Sequence, residues 1–175
     1  MAGTLDNAFR LACMYGRLKV AQWLVDYGNV NGSPVDIHSA SDFAFQWSCM
    51  NGHLKVTQWL ADYGKCIGMP FDIRSNSDYV FRMTCWHGHI EVAKWLVDYG
   101  KTIGTPINIH SKSDFAFRWA CLSRKREVAQ WLLPFDMQKT HESLYRDHVK
   151  LRNFLMSIVN CIDRHEKTPT LFVTI

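Results

Sequence analysis

The chain repeats itself every 36 residues. Asp6, Asp42, Asp78 and Asp114 fall on one grid, as do Cys13, Cys49, Cys85 and Cys121, and Trp23, Trp59, Trp95 and Trp131, with no insertion or deletion between copies. Self-similarity at a fixed period of this size marks a solenoid, in which each supersecondary unit buries its apolar side against its neighbours. A chain so constrained is expected to be a binding scaffold; the repeat itself does not say what is bound.

Each unit opens on a serine followed by an acid: Ser41-Asp42, Ser77-Asp78 and Ser113-Asp114. An aspartate there predicts an N-cap, its carboxylate accepting the free amides of a first helical turn. In the second copy Phe45, Ser48, Cys49 and Gly52 then follow at i, i+3, i+4 and i+7. That face has one large residue and several small ones, so another helix can approach it closely. Gly16, Gly52 and Gly88 are placed to end this helix in the left-handed conformation. A second helix is predicted through "HLKVTQWLADY", where Val56, Trp59, Leu60 and Tyr63 make an apolar stripe. Gly28, Gly64 and Gly100 are expected to stop it. Segments such as "KCIGMPFDIRSNS" follow, and the alternation in "PFDIRS" and "PINIHS" predicts a short extended finger or hairpin between units. The fold class expected is all-α: a helix–turn–helix solenoid with extended loop fingers and a 36-residue period.

Composition narrows the setting. The 175 residues are 47% hydrophobic and 21% charged, too apolar for a disordered chain. The net charge of +4 is spread among mixed acids and bases, a pattern that favours solubility over nucleic-acid binding. No window offers the ~18 consecutive apolar residues of a membrane span, and the start lacks a signal-peptide layout. A soluble, intracellular, cytoplasmic monomer is expected. Four of the six cysteines share one repeat position. Packed helices lie roughly 8–10 Å apart and a disulfide needs Cα atoms within about 7 Å, so these read as buried thiols of a reducing compartment.

The run Gly52-His53-Leu54-Lys55-Val56, and its counterpart Gly88-His89-Ile90-Glu91-Val92, carry a resemblance to the ankyrin repeat family, whose units read Gly-His-Leu-Glu-Val after an Ala-Ala pair. Here that pair becomes Ala-Cys, Ser-Cys or Thr-Cys, the family's Thr-Pro start becomes Asp-Phe or Asp-Tyr, and the period is 36 against the usual ~33. The resemblance covers residues 4 to 133. The Trp-Leu and Ile-His-Ser style is similar to that of ankyrin proteins of giant DNA viruses such as mimivirus, which would place the chain in host cytoplasm. The resemblance implies a protein-interaction scaffold that binds through a concave face built from the far ends of the first helices and the finger tips.

Those positions are the candidate partner-binding residues. Met14-Tyr15, Met50-Asn51, Trp86-His87 and Leu122-Ser123 vary while their neighbours stay fixed, and Ala40, Asn76 and Lys112 would be the tips. The alternative is unconstrained surface; Trp86 tips the balance, because tryptophan is a favoured hot-spot residue. Trp23, Trp59, Trp95 and Trp131 read as core by their spacing with the following leucines, and the set Leu11, Trp47, Met83 and Trp119 as burial between repeats. Asp36, Asp72 and Asn108 read as turn formers, not catalytic acids. Arg10, Arg82 and Arg118, with Gln46 in the series, read as a solvated face, not a nucleic-acid contact. Cys85-Trp86-His87-Gly88-His89 lacks a four-ligand zinc set, and no nucleophile–base set or phosphate-cradling loop is present. No cofactor, metal or catalytic residue is expected.

The fourth copy decays. Gly88 maps to Arg124, His89 to Lys125, and Pro134 stands where the second helix should continue. Beyond it, Leu144, Leu151, Phe154, Leu155, Ile158 and Ile162 trace an apolar stripe, read as a capping helix within 134–165 ahead of a tail at 166–175. Some viral ankyrin proteins carry an F-box-like C-terminal segment, so the resemblance also offers a second function, a substrate adaptor for a ubiquitin ligase.

Overall fold

A computed structural model describes residues 2–138. The expected capping helix, the F-box-like segment and the tail lie outside these residues. The described chain is all-helical and pairs its helices in sequence: α1 (Ala2–Met14) with α2 (Leu18–Val30), α3 (Ser39–Met50) with α4 (Leu54–Cys66), α5 (Ser75–His87) with α6 (Ile90–Thr102), and α7 (Ser111–Leu122) with α8 (Arg126–Leu132). The first helices pack in chain order, α1 on α3, α3 on α5 and α5 on α7, an arrangement compatible with an α-solenoid. A short 3-10 helix, Leu133–Gln138, follows α8, which at 7 residues ends just ahead of Pro134.

One continuous core runs between the pairs. Phe9, Phe45, Phe81 and Phe117, at one repeat position, are buried, with Cys13, Cys49, Cys85 and Cys121 one helical turn further on. The second helices add Val56, Leu60, Val92, Leu96, Val128 and Leu132. Trp59, Trp95 and Trp131 are half-buried against this core. The Trp59 ring meets Phe9 of the preceding copy edge-on at 6.2 Å, and Trp131 meets Phe81 likewise at 6.4 Å. Trp23 departs from the expectation and is exposed, because no copy precedes it among the described residues.

The turn glycines behave as expected. Gly16, Gly52 and Gly88 have φ of 69°, 76° and 90°. Something besides the backbone requires glycine there: a Cβ on Gly16 would lie 2.5 Å from His53 Nδ1 of the next copy. The His53 ring lies across that turn so that Nε2 donates to the Met14 carbonyl at 3.0 Å. In the fourth copy Arg124 takes the left-handed place, at φ 56°.

Two expectations need correction. Gly28, Gly64 and Gly100 do not stop the second helices but lie inside them; the chain turns at Gly32, Gly68 and Gly104, with φ of 68°, 76° and 75°. The inner glycines answer to crowding instead. A Cβ on Gly28 or Gly64 would meet the returning backbone, at the Ser33 or Met69 carbonyl oxygen, 2.7 Å away in each case. The connecting segments also form no β-hairpin: no strand occurs among the described residues. Ile37, Phe71, Ile73 and Ile107 tuck into the core, and Phe71 stacks on Phe45 at 4.6 Å. This anchoring keeps each segment close to the helices, where it has no partner strand.

What replaces the hairpin is a turn of left-handed helix. Ala40, Ser41 and Asp42 have φ of 55°, 57° and 62°, and Asn76-Ser77-Asp78 and Lys112-Ser113-Asp114 repeat the conformation. The aspartates therefore do not cap the first helices. Asp6 Oδ1 accepts the Asp36 amide at 3.0 Å and Asp78 Oδ1 the Asn108 amide at 3.3 Å, so each ties its own copy to the loop of the next. Asp36, Asp72 and Asn108 do form turns, their Oδ1 atoms accepting the amides of His38, Arg74 and His110 two residues on at 2.9, 3.0 and 3.1 Å.

Candidate functional site

In α3, α5 and α7 the right-handed part of the helix starts just after the left-handed turn, and all four first helices are amphipathic. Their buried side holds the Phe and Cys series. The opposite side carries Leu11 and Tyr15 on α1, Phe43 and Trp47 on α3, Trp86 and His87 on α5, and Phe115, Trp119 and Leu122 on α7. Leu11, Tyr15, Trp47 and Leu122 are exposed, and Phe43, Trp86, Phe115 and Trp119 are half-buried. The rings touch both along and across helices: Phe43 lies 5.4 Å from Trp47, Phe115 5.4 Å from Trp119, and Trp86 5.1 Å from Trp119 of the next first helix. These side chains lie on the outer side of the four first helices and make up an apolar strip, with direct ring contact between α5 and α7.

Arginines edge the strip. Arg82 sits over the Phe115 ring at 4.9 Å and the Tyr79 ring at 5.8 Å, and Arg10 over Phe43 at 5.8 Å. The same series secures the left-handed turns. Arg82 donates through Nε to the Ser77 carbonyl at 2.8 Å and through a terminal nitrogen to the Asn76 carbonyl at 3.0 Å. Gln46 donates to the Ser41 carbonyl at 2.7 Å, and Arg118 reaches the Lys112 carbonyl at 3.4 Å. The expected solvated face is thus a set of braces, most fully so at the buried Arg82.

The sequence-derived residues divide. Tyr15, Trp86, His87 and Leu122 lie on the strip or at its rim. Ala40, Asn76 and Lys112 are exposed at the start of the left-handed turns. Met50 is 7% exposed and offers little to a partner. Asn51 is engaged, its Nδ2 donating to the Met14 carbonyl at 2.9 Å, and Met14 and Ser123 are only partly accessible. Leu11 and Trp47, expected to be buried between repeats, belong to the strip instead; Trp47 is 38% exposed. Helical spacing could have found them, since 11, 14 and 15, or 47, 50 and 51, share one face. Met83 of the same series is buried.

Little on this surface suits covalent chemistry. Burial pushes the Cys13 and Cys49 thiols up to about 12 and moves Cys85 the same way, so none supplies a thiolate at neutral pH. The buried Asp78 is also raised, first by desolvation, against the opposing pull of the Asn108 amide and Arg74. Among the described residues no three His, Cys, Asp or Glu side chains are gathered to hold a metal ion, and no helix is long and apolar enough to cross a membrane.

No family model, curated protein or solved structure matches the chain.

Proposed function

We propose that this chain is an ankyrin-type interaction scaffold that grips a protein partner along the strip of its first helices. The observation that supports the reading is the set of exposed and half-buried apolar side chains on the first helices, Leu11, Trp47, Trp86, Trp119 and Leu122, edged by arginines. Tryptophan and arginine are the residues that carry most binding energy in protein interfaces. The strip rests on packed helices, and Arg82 is already fixed by hydrogen bonds to the Ser77 and Asn76 carbonyls. Binding on such a surface orders few side chains, so little of the contact energy is lost to entropy. By the ankyrin resemblance, the strip and the left-handed turns at Ala40, Asn76 and Lys112 take the place of the family's concave surface and finger tips.

The test compares wild type with Trp47→Glu and Leu122→Glu in quantitative affinity capture from infected or native cells, with Lys55→Glu on an exposed second-helix position as control. Proteins that bind through the strip are expected to fall at least about tenfold with either strip variant and to persist with the control. A set of captured proteins that ignores both strip variants would rule the reading out.

A further inference from the structure

The repeat supplies its own control for what its surfaces are for. Val56, Val92 and Val128 occupy one position in the second helices of copies two, three and four, and each is 1% exposed. Val20, the same position in the first copy, is 49% exposed. Trp23 is 59% exposed where Trp59, Trp95 and Trp131 are half-buried. Ala8 is exposed where Ala44, Val80 and Ala116 are buried. The first copy has a following copy, as the second and third do, and no copy precedes it among the described residues. These residues are therefore the repeat-to-repeat surface, left exposed on the first described copy.

The open face is contiguous. Trp23 stacks on Tyr27 at 5.2 Å, and Tyr27, Leu5 and Ala8 line a groove of about 440 Å³ between α1 and α2. At the far end of the described helices, Phe117 and Cys121 of the fourth copy, equivalents of the Phe9 and Cys13 that a following copy covers, are each 4% exposed, so the described residues show no open counterpart to which this face could add head to tail.

We propose that the open face docks on the same face of a second copy, joining two chains about a two-fold axis that passes close to Trp23. Such an isologous contact uses one surface twice and closes at two chains. The charges of α2 fit this arrangement. Lys19 and Asp26 are both exposed and seven residues apart, so they lie on the same rim of the stripe, nearly equidistant from Trp23. In an antiparallel α2–α2 pairing about Trp23, Lys19 of each chain comes opposite Asp26 of the other. The ion pair forms twice, flanking a centre made of Val20, Trp23 and Tyr27. That centre has the composition of an interface core, aromatic and free of charge.

Sedimentation velocity of the full 175-residue chain, from about 1 to 500 µM, reads the equilibrium directly. Wild type is expected to pass from monomer to dimer in this range. Val20→Glu is expected to raise the dissociation constant at least about tenfold, and Lys19→Glu about three- to tenfold by placing like charges opposite each other. The double exchange Lys19→Glu with Asp26→Lys restores the wild-type constant if the pairing is antiparallel. Leu122→Glu, on the first-helix strip, leaves the constant unchanged, which separates this contact from the partner-binding surface. Far-UV circular dichroism verifies that each variant is folded, and Lys19→Glu alters only an exposed charge should Val20→Glu misfold. A wild type that stays monomeric throughout would overturn the proposal. So would dissociation by Leu122→Glu but not by Lys19→Glu, or a double exchange no tighter than the singles.

Discussion

His89 shows how one side chain sets the spacing of the copies. It stands where His53 stands one copy earlier and hydrogen-bonds the Met50 carbonyl, while its ring covers Gly52. Desolvation, then the neighbouring His87, holds it below the ordinary histidine range. A group whose folded value is lowered adds stability above its unfolded value, near pH 6.5, and loses that contribution as the pH falls through the folded one. Glutamine at 89 keeps a donor for the Met50 carbonyl and has no proton to gain. In urea unfolding followed by circular dichroism, wild type is expected to exceed His89→Gln at pH 7.5, with the gap narrowing by pH 5.5. A gap constant across that range would mean that the ring does not titrate against the fold. Asp78 has the opposite sign: raised from 3.8 by burial, it favours the fold most below that value and less as the pH climbs.

At the scale of the element, the left-handed turns are the feature least expected from the residues that build them. Ala, Ser, Asp and Lys all disfavour φ near +55°, by roughly 1–2 kcal/mol for each residue. Three in a row persist because the braces and carboxylates described above surround them. Alanine at position 40 has no side-chain bond to lose, and glycine enters this conformation without a Cβ clash. Ala40→Gly should therefore stabilise the chain by about 0.5–1 kcal/mol after the added freedom of the unfolded state is subtracted. Arg82→Met keeps much of the packing but removes two charge-assisted bonds, to the Ser77 and Asn76 carbonyl oxygens, and should destabilise by about 2–4 kcal/mol. Denaturant midpoints for the two variants move in opposite directions on this account; movement the same way would refute it.

The same turns mark where reading the sequence stops. The pairing of helices, the turns at Gly16, Gly52 and Gly88, and the Asx turns at Asp36, Asp72 and Asn108 were all legible, because each depends on residues within one copy. Gly28, Gly64 and Gly100 were misread since their requirement comes from the returning backbone, which spacing within a helix does not show. Asp42 was misread because a serine–aspartate pair before an apolar run has one strong local meaning, whereas in the left-handed turn its carboxylate accepts from His38 Nδ1, four residues back, at 2.6 Å. Trp47 was misplaced for a related reason. Large and apolar in every copy argues for burial, yet helical phase puts it on the same side as the variable positions.

For the whole molecule the controlling fact is that contacts run between adjacent copies, Phe9 to Trp59 and Phe81 to Trp131, with the Asp6 and Asp78 carboxylates spanning the same joints. Stability in such an array is approximately a sum of unit terms and nearest-neighbour terms. One tryptophan position can then separate the two kinds. Trp59→Ala empties space at a joint and loses an edge-on aromatic contact, and should destabilise by about 2–4 kcal/mol. Trp23→Ala changes the same residue type where no copy precedes it among the described residues, and should fall within about 1 kcal/mol of wild type in dilute solution. The Phe9→Ala and Trp59→Ala cycle adds the decisive number: a coupling of about 0.5–1.5 kcal/mol across the joint, against near zero for Phe9→Ala with Trp23→Ala. Equal losses from the two tryptophans, or no coupling at the joint, would show that each helix pair is stabilised from within. The repeat would then be a pattern in the sequence without a matching pattern in the energetics.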